Sequence, residues 1–212
     1  MASSDVTAPM SWTHRAYFRR FNLNVEQYGE ILVADLFGGV KRGDAQPCFD
    51  VEASDRNVRS RLLAAGVPLT AVTTCFSGLS GTGVRIEVKS KLARTASGTA
   101  TVIHCSDHKL AGVRHHEAAT HLAVILFDEE GMAEKAWFFS SDVAQQLRRK
   151  DTKSKYIPVL ALKNAAGVTA NGIIDVCSLI NGVASAALSG GSSGYVAQQA
   201  LPADVAASRP RG

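Results

Sequence analysis

The sequence predicts an α/β (α+β) fold, a central mixed β-sheet flanked by helices. Three observations lead to that expectation. Val84, Ile86 and Val88 alternate with Arg85, Glu87 and Lys89, which is the period of a half-buried strand. His121-Leu122-Ala123-Val124-Ile125-Leu126-Phe127 is nearly all apolar, as in a central strand covered on both faces. Val25, Tyr28, Leu32 and Leu36 recur at helical spacing after an Asn24/Gln27 capping box and stop at Gly38-Gly39. Strands set between a leading helix and later crossovers build a layered fold.

The elements follow in chain order. Residues 1–23 form an N-terminal extension, in which 1–10 are small and polar and expected to be disordered, while 12–21, mixing aromatics with Arg15, Arg19 and Arg20, are expected to pack loosely. Residues 24–188 form the main domain. After the first helix, residues 46–52 read as a short strand carrying Asp50. A segment near 54–82 is inserted before the next strand. In it Ser54 caps a helix whose Val58, Leu62 and Leu63 make an apolar stripe, and Gly66 ends it. Gly78-Leu79-Ser80-Gly81-Thr82-Gly83 lacks the Gly-Lys-Ser/Thr ending of a phosphate loop and precedes a strand, so it reads as a turn. Beyond the alternating strand, residues 99–105 predict a third strand, 117–120 the end of a short helix or loop, and 133–139 a further strand after the central one. Ser140 or Ser141 starts a helix to about Arg149. Residues 155–162 read as a strand that Pro158 pushes towards an edge, and 171–188 as an amphipathic helix. Residues 189–212 are rich in Gly, Ser and Ala and are expected to be a flexible tail.

Composition narrows the function classes. A chain of 212 residues, 46% hydrophobic and 20% charged, is long enough for one well-buried domain. Its longest apolar run falls far short of the roughly 20 residues that cross a bilayer, so no membrane role is expected. Four cysteines without a Cys-x-x-Cys pair, and no apolar leader, point to reduced thiols in the cytoplasm. The net charge of +4 favours an anionic partner only weakly.

The chemistry lies in the alternating strand. Glu87 and Lys89 share a face, and a carboxylate beside an ammonium suits a hard cation next to a phosphate. A solvated sheet face has the same pattern. With the helix acid Glu30 and the strand acid Asp50 upstream, the order is helix acid, strand Asp, then Glu-x-Lys. Over residues 24–165 this resembles the PD-(D/E)xK nuclease superfamily. Asp50, Glu87 and Lys89 take the positions of the motif, and Gly29-Glu30 is similar to the Gly-Glu of the family's first helix. The resemblance implies a restriction-endonuclease-like core, Mg²⁺ (or Mn²⁺) held by Asp50 and Glu87, assistance from Lys89, and metal-dependent cleavage of double-stranded DNA. Glu30 lies well round from the apolar stripe, which leaves solvent and the metal site as alternatives for it. Phe49 replaces the motif's Pro. Thirty-six residues separate Asp50 from Glu87, so an insertion is required; Glu52 and Asp55 are weaker substitutes for Asp50.

Basic residues are the candidates for nucleic-acid contact: Arg56, Arg59 and Arg61 on the inserted helix, Lys91 and Lys109, and Arg148, Arg149 and Lys153 in the strongest basic run. Solvated helix faces and ends account for them equally well. His104, Cys105, His108, His115, His116 and His121 crowd into eighteen residues, but their spacing matches no known zinc site. Cutting both strands requires two sites, which a homodimer supplies. The rival readings are a catalytically inactive nuclease-fold module that binds DNA or assists assembly, and a structural protein in which Glu87 and Lys89 are a simple surface pair.

Overall fold

The computed structural model describes residues 24–42, 48–79, 81, 83–95, 98–105, 118–148, 156–165 and 171–188. The N-terminal extension, the tail, and His108, Lys109, His115, His116, Arg149 and Lys153 lie outside them. The fold is mixed α and β. Six strands form one sheet in the order β1 (Val40–Lys41), β2 (Val51–Ser54), β3 (Gly83–Leu92), β7 (His121–Phe127), β8 (Ala133–Ser140), β10 (Ile174–Asp175). Neighbours run antiparallel except β3 and β7, which are parallel and need a crossover between them. That crossover carries β4 (Arg94–Thr95), β5 (Gly98–Thr99) and β6 (Val102–His104).

Side chains of the central strands alternate between two cores. Val84, Ile86 and Val88 of β3, with Ala123, Ile125 and Phe127 of β7, pack beneath the helices α1 (Val25–Phe37), α2 (Asp55–Ala64), α3 (Leu69–Cys75) and α6 (Cys177–Leu188). Leu122, Val124 and Leu126 face the other way, with Trp137 and Phe139 of β8. There they meet Ile103, Cys105 and Ile157 from the ribbon of β6 and β9 (Tyr156–Pro158), and residues of α4 (Ser141–Leu147) and α5 (Val159–Ala165). All seven residues of β7 are buried, as the central-strand reading requires.

Local signals are met where a cap fixes them. The Asn24 side chain accepts from the Gln27 amide at 2.8 Å, the Gln27 side chain returns the bond, and Gly38 ends α1 at φ 60°. Ser54 caps α2 and Ser140 caps α4. Where the partner is remote, the expectations need correction. Residues 99–105 do not join the main sheet: Val102–His104 pairs with β9 in a separate ribbon that buries Ile103 and Cys105 against the sheet. The stretch 155–162 is a strand only to Pro158; the Val159 amide still donates to the Thr101 carbonyl at 2.9 Å, and Val159 and Leu162 then form the buried face of α5. The helix expected from 171 begins at Cys177. Ile174–Asp175 is edge strand β10, and the Asp175 carboxylate accepts the Cys177 amide at 2.9 Å. Leu63, placed in the stripe of α2, is 41% exposed, because only Val58 and Leu62 reach the core.

Candidate active site

Asp50 lies one residue ahead of β2. Its amide donates to the Ile86 carbonyl at 2.9 Å, and its Oδ2 accepts the Val88 amide at 2.8 Å. Val88 stands between Glu87 and Lys89, so the carboxylate is drawn against the Glu-x-Lys segment although the insertion of α2 and α3 intervenes in sequence. Glu52 and Asp55 are engaged elsewhere: Glu52 pairs with Arg42, and Asp55 holds the Arg59 Nε at 2.6 Å.

Glu87 and Lys89 face the second core, in register with Leu122 and Val124 of β7. This face is not a solvated surface. Glu87 is wholly buried, and the Lys89 ammonium lies 2.5 Å from its Oε1. Burial alone would lower the Lys89 pKa. The charge and hydrogen bond of Glu87, with smaller contributions from Asp50 and Cys105, outweigh it and hold the ammonium above its usual range. Lys89 therefore remains a cation at neutral pH. Taking a carboxylate and an ammonium out of water costs several kcal/mol per ion before their attraction is counted. A fold does not need such a pair for its core, so this position is the candidate functional site.

The first helix completes the arrangement. A Cβ on Gly29 would lie 1.8 Å from the Ser90 Oγ, so only glycine lets α1 approach β3 this closely. The next residue, Glu30, is thereby brought to the site's edge. It is half-buried and pairs with Lys41 of β1 at 3.0 Å. Desolvation raises its pKa, the Lys41 hydrogen bond opposes this, and the charge of Asp50 raises it further. Glu30 thus feels Asp50, and Asp50 feels Lys89. Lys41 is the member that the sequence pattern missed; its position just past the Gly38-Gly39 stop of α1 was the available signal.

The oxygen donors suit a hard divalent cation. Among the described residues no three of His, Cys, Asp and Glu stand together as a metal cage. The Asp50 carboxylate, bonded to the Val88 amide, and the adjoining Glu87 offer oxygens, the donor type that Mg²⁺ takes together with water and phosphate oxygens.

The basic candidates separate into groups. Arg59 is committed to Asp55 and lies over the Phe76 ring at 4.3 Å, which makes it a packing residue of the helical layer. Arg56, Arg61 and Lys91 are exposed and Arg148 is half-buried. The described members of the histidine cluster are divided by the sheet. His121 is buried in the first core, stacked on Phe138 with its Nε2 3.1 Å from the Cys75 carbonyl, whereas Cys105 is buried in the second core and His104 is exposed. Burial pushes the Cys75 thiol up to about 12, so it is no nucleophile at neutral pH.

No protein-family model and no curated protein matches this chain.

Proposed function

We propose that the chain is a metal-dependent endonuclease of the PD-(D/E)xK superfamily, with a restriction-endonuclease-like core, that hydrolyses phosphodiester bonds in double-stranded DNA. One observation carries this reading: the acid at position 50 is bonded to the backbone between a buried Glu87 and its cationic neighbour Lys89. The parallel β3–β7 pair at the centre of a mixed sheet, with helices on both faces, is compatible with it.

Asp50 and Glu87 are the residues that would hold Mg²⁺, with Mn²⁺ as a substitute. The bound ion offsets the negative charge that gathers on the phosphate and leaving oxygens. Lys89, kept protonated, does not act as a base. It donates a charge-assisted hydrogen bond to a non-bridging oxygen or to the attacking water and so fixes the line of attack. Glu30 adds negative charge beside Asp50, restrained by Lys41. A homodimer would place two such sites on a duplex, and four free cysteines accord with a cytoplasmic setting.

The rival is a nuclease-like module without activity, and the closeness of Lys89 to Glu87 speaks for it, since the pair neutralises itself. Plasmid cleavage separates the two. The nuclease reading expects nicking or linearisation in Mg²⁺, none with chelator, and loss of roughly a hundredfold or more in Lys89→Met. DNA binding without metal-dependent cleavage favours the rival. Cleavage that survives chelation, or is unchanged in both Asp50→Asn and Lys89→Met, overturns the assignment.

A further inference from the structure

The face of β3 that carries Glu87 and Lys89 continues past the candidate site at both ends. Arg85 precedes Glu87 by two residues and Lys91 follows Lys89 by two, so all four side chains share one face. A cavity opens beside each end. The one at Arg85 is small, about 170 Å³, and contains the Asp142 side chain; the Arg85 Nε is also bound to the Ala118 carbonyl at 2.7 Å. An anion gains little there.

The cleft at Lys91 differs in size and charge. It measures about 450 Å³. Lys91 lies on one wall and Thr99 and Thr101 on the other, with Leu92, Ala100 and Val102 as apolar lining. The Lys91 ammonium donates to the Val102 carbonyl at 3.3 Å, which steadies it across the cleft and leaves two of its three donors for a ligand. Arg94, a residue not singled out by the sequence pattern, is the cross-strand partner of Thr99 in the β4–β5 ribbon, and partners across a ladder point to the same side. Arg94 and Lys91 are both exposed, and no carboxylate lines this cleft among the described residues.

We infer that this cleft is a subsite for one nucleotide of the nucleic-acid strand, next to the phosphate held at Asp50, Glu87 and Lys89. Lys91 and Arg94 hold its phosphate, the two threonine hydroxyls bond phosphate or sugar oxygens, and the apolar residues underlie the sugar and base. The step from Lys89 to Lys91 is one strand repeat, about 6.6 Å. That is close to the separation of successive phosphates in a polynucleotide, so the chain would run along β3 from the reacting phosphate towards the β4–β5 ribbon. The volume falls within the range of about 300–1,000 Å³ typical of small-ligand clefts. It suits one nucleotide, not a base-paired step.

The inference rests on the nuclease reading for its adjacent phosphate, but its test does not require cleavage. Binding of a fluorescein-labelled random-sequence duplex, and of one of its strands alone, is followed by anisotropy across a salt series in the full chain. Lys91→Gln and Arg94→Gln should each weaken affinity about fivefold and flatten the log–log salt slope by ~0.9 for duplex and ~0.7 for the single strand, while Lys91→Arg keeps the slope. Thr99→Trp, which fills the cleft while keeping both charges, should weaken binding by a similar factor. Where Mg²⁺ cleavage is present, Lys91→Gln should raise KM and leave kcat within about twofold. Unchanged slopes in both charge variants, undiminished binding in Thr99→Trp, or no binding of either probe by the wild type overturns the subsite. A wild type that binds with these slopes but never cleaves overturns the nuclease reading and leaves the subsite standing.

Discussion

The Asp50 carboxylate accepts the Val88 amide at 2.8 Å, where a backbone carbonyl of a longer β2 would otherwise stand. The side chain thus has a structural task as well as a proposed chemical one, and two substitutions separate them. Asp50→Asn keeps an acceptor oxygen and should fold with a stability near that of the wild type, yet lose metal-dependent cleavage. Asp50→Ala leaves the Val88 amide without that partner and should cost about 1–3 kcal/mol in urea unfolding. Equal loss of stability in both variants would count against the assignment.

The buried pair predicts an asymmetry. Lys89→Met removes the cationic partner of a carboxylate that has no exposure to water and should destabilise by about 3 kcal/mol. Glu87→Leu should cost less, because the Lys89 side chain is 29% exposed and can turn its ammonium outward. The double variant Glu87→Leu/Lys89→Met should return to within about 1 kcal/mol of the wild type while remaining inactive. Denaturant midpoints of the four proteins form the cycle. Additive losses would show that the two groups do not act as a pair.

Gly29→Ala should be among the most harmful small substitutions in α1. The added methyl meets the Ser90 Oγ at 1.8 Å and the Ser90 Cβ at 2.9 Å, so the helix must retreat from β3. A loss of about 2–3 kcal/mol is expected. Ser90→Gly in the same chain should recover more of it than Ser90→Ala, since the Cβ itself is part of the clash. Urea midpoints at constant m value provide the check.

His121 predicts an acid-sensitive fold. Burial, the largest cause, lowers its pKa from the ordinary 6.5 to about 4, so the neutral ring is the native form. A depressed folded-state pKa means that the stabilisation is complete above about 6.5 and is lost as pH falls towards 4. His121→Phe removes the titration but keeps a ring against Phe138. Between pH 7 and pH 4.5 it should lose less stability than the wild type; parallel pH profiles would show that His121 does not titrate in this window.

Much of the frame was legible because its signals are local. The Asn24/Gln27 box, the Ser54 cap and the alternation of Val84, Ile86 and Val88 involve residues within a turn or a few pleats of one another, and β7 announces itself by composition. Misread elements depend on distant partners. Residues 102–104 have strand character wherever they pair, and only tertiary packing assigns them to β9 instead of the main sheet. The short strand β10 is hidden at the head of an apolar helix because two residues are too few to set a period.

The site divides in the same way. The sequence by itself determined that Glu87 and Lys89 share one face of a strand and that α1 carries a Gly-Glu step, since strand and helix periods leave no other arrangement. Tertiary structure alone decided that Glu87 is buried against Lys89, that Asp50 is bonded to the Val88 amide, and that Lys41 restrains Glu30. The physical reason is that a backbone period acts over a few residues, whereas burial and charge pairing depend on which distant segments share the same space once the chain has packed.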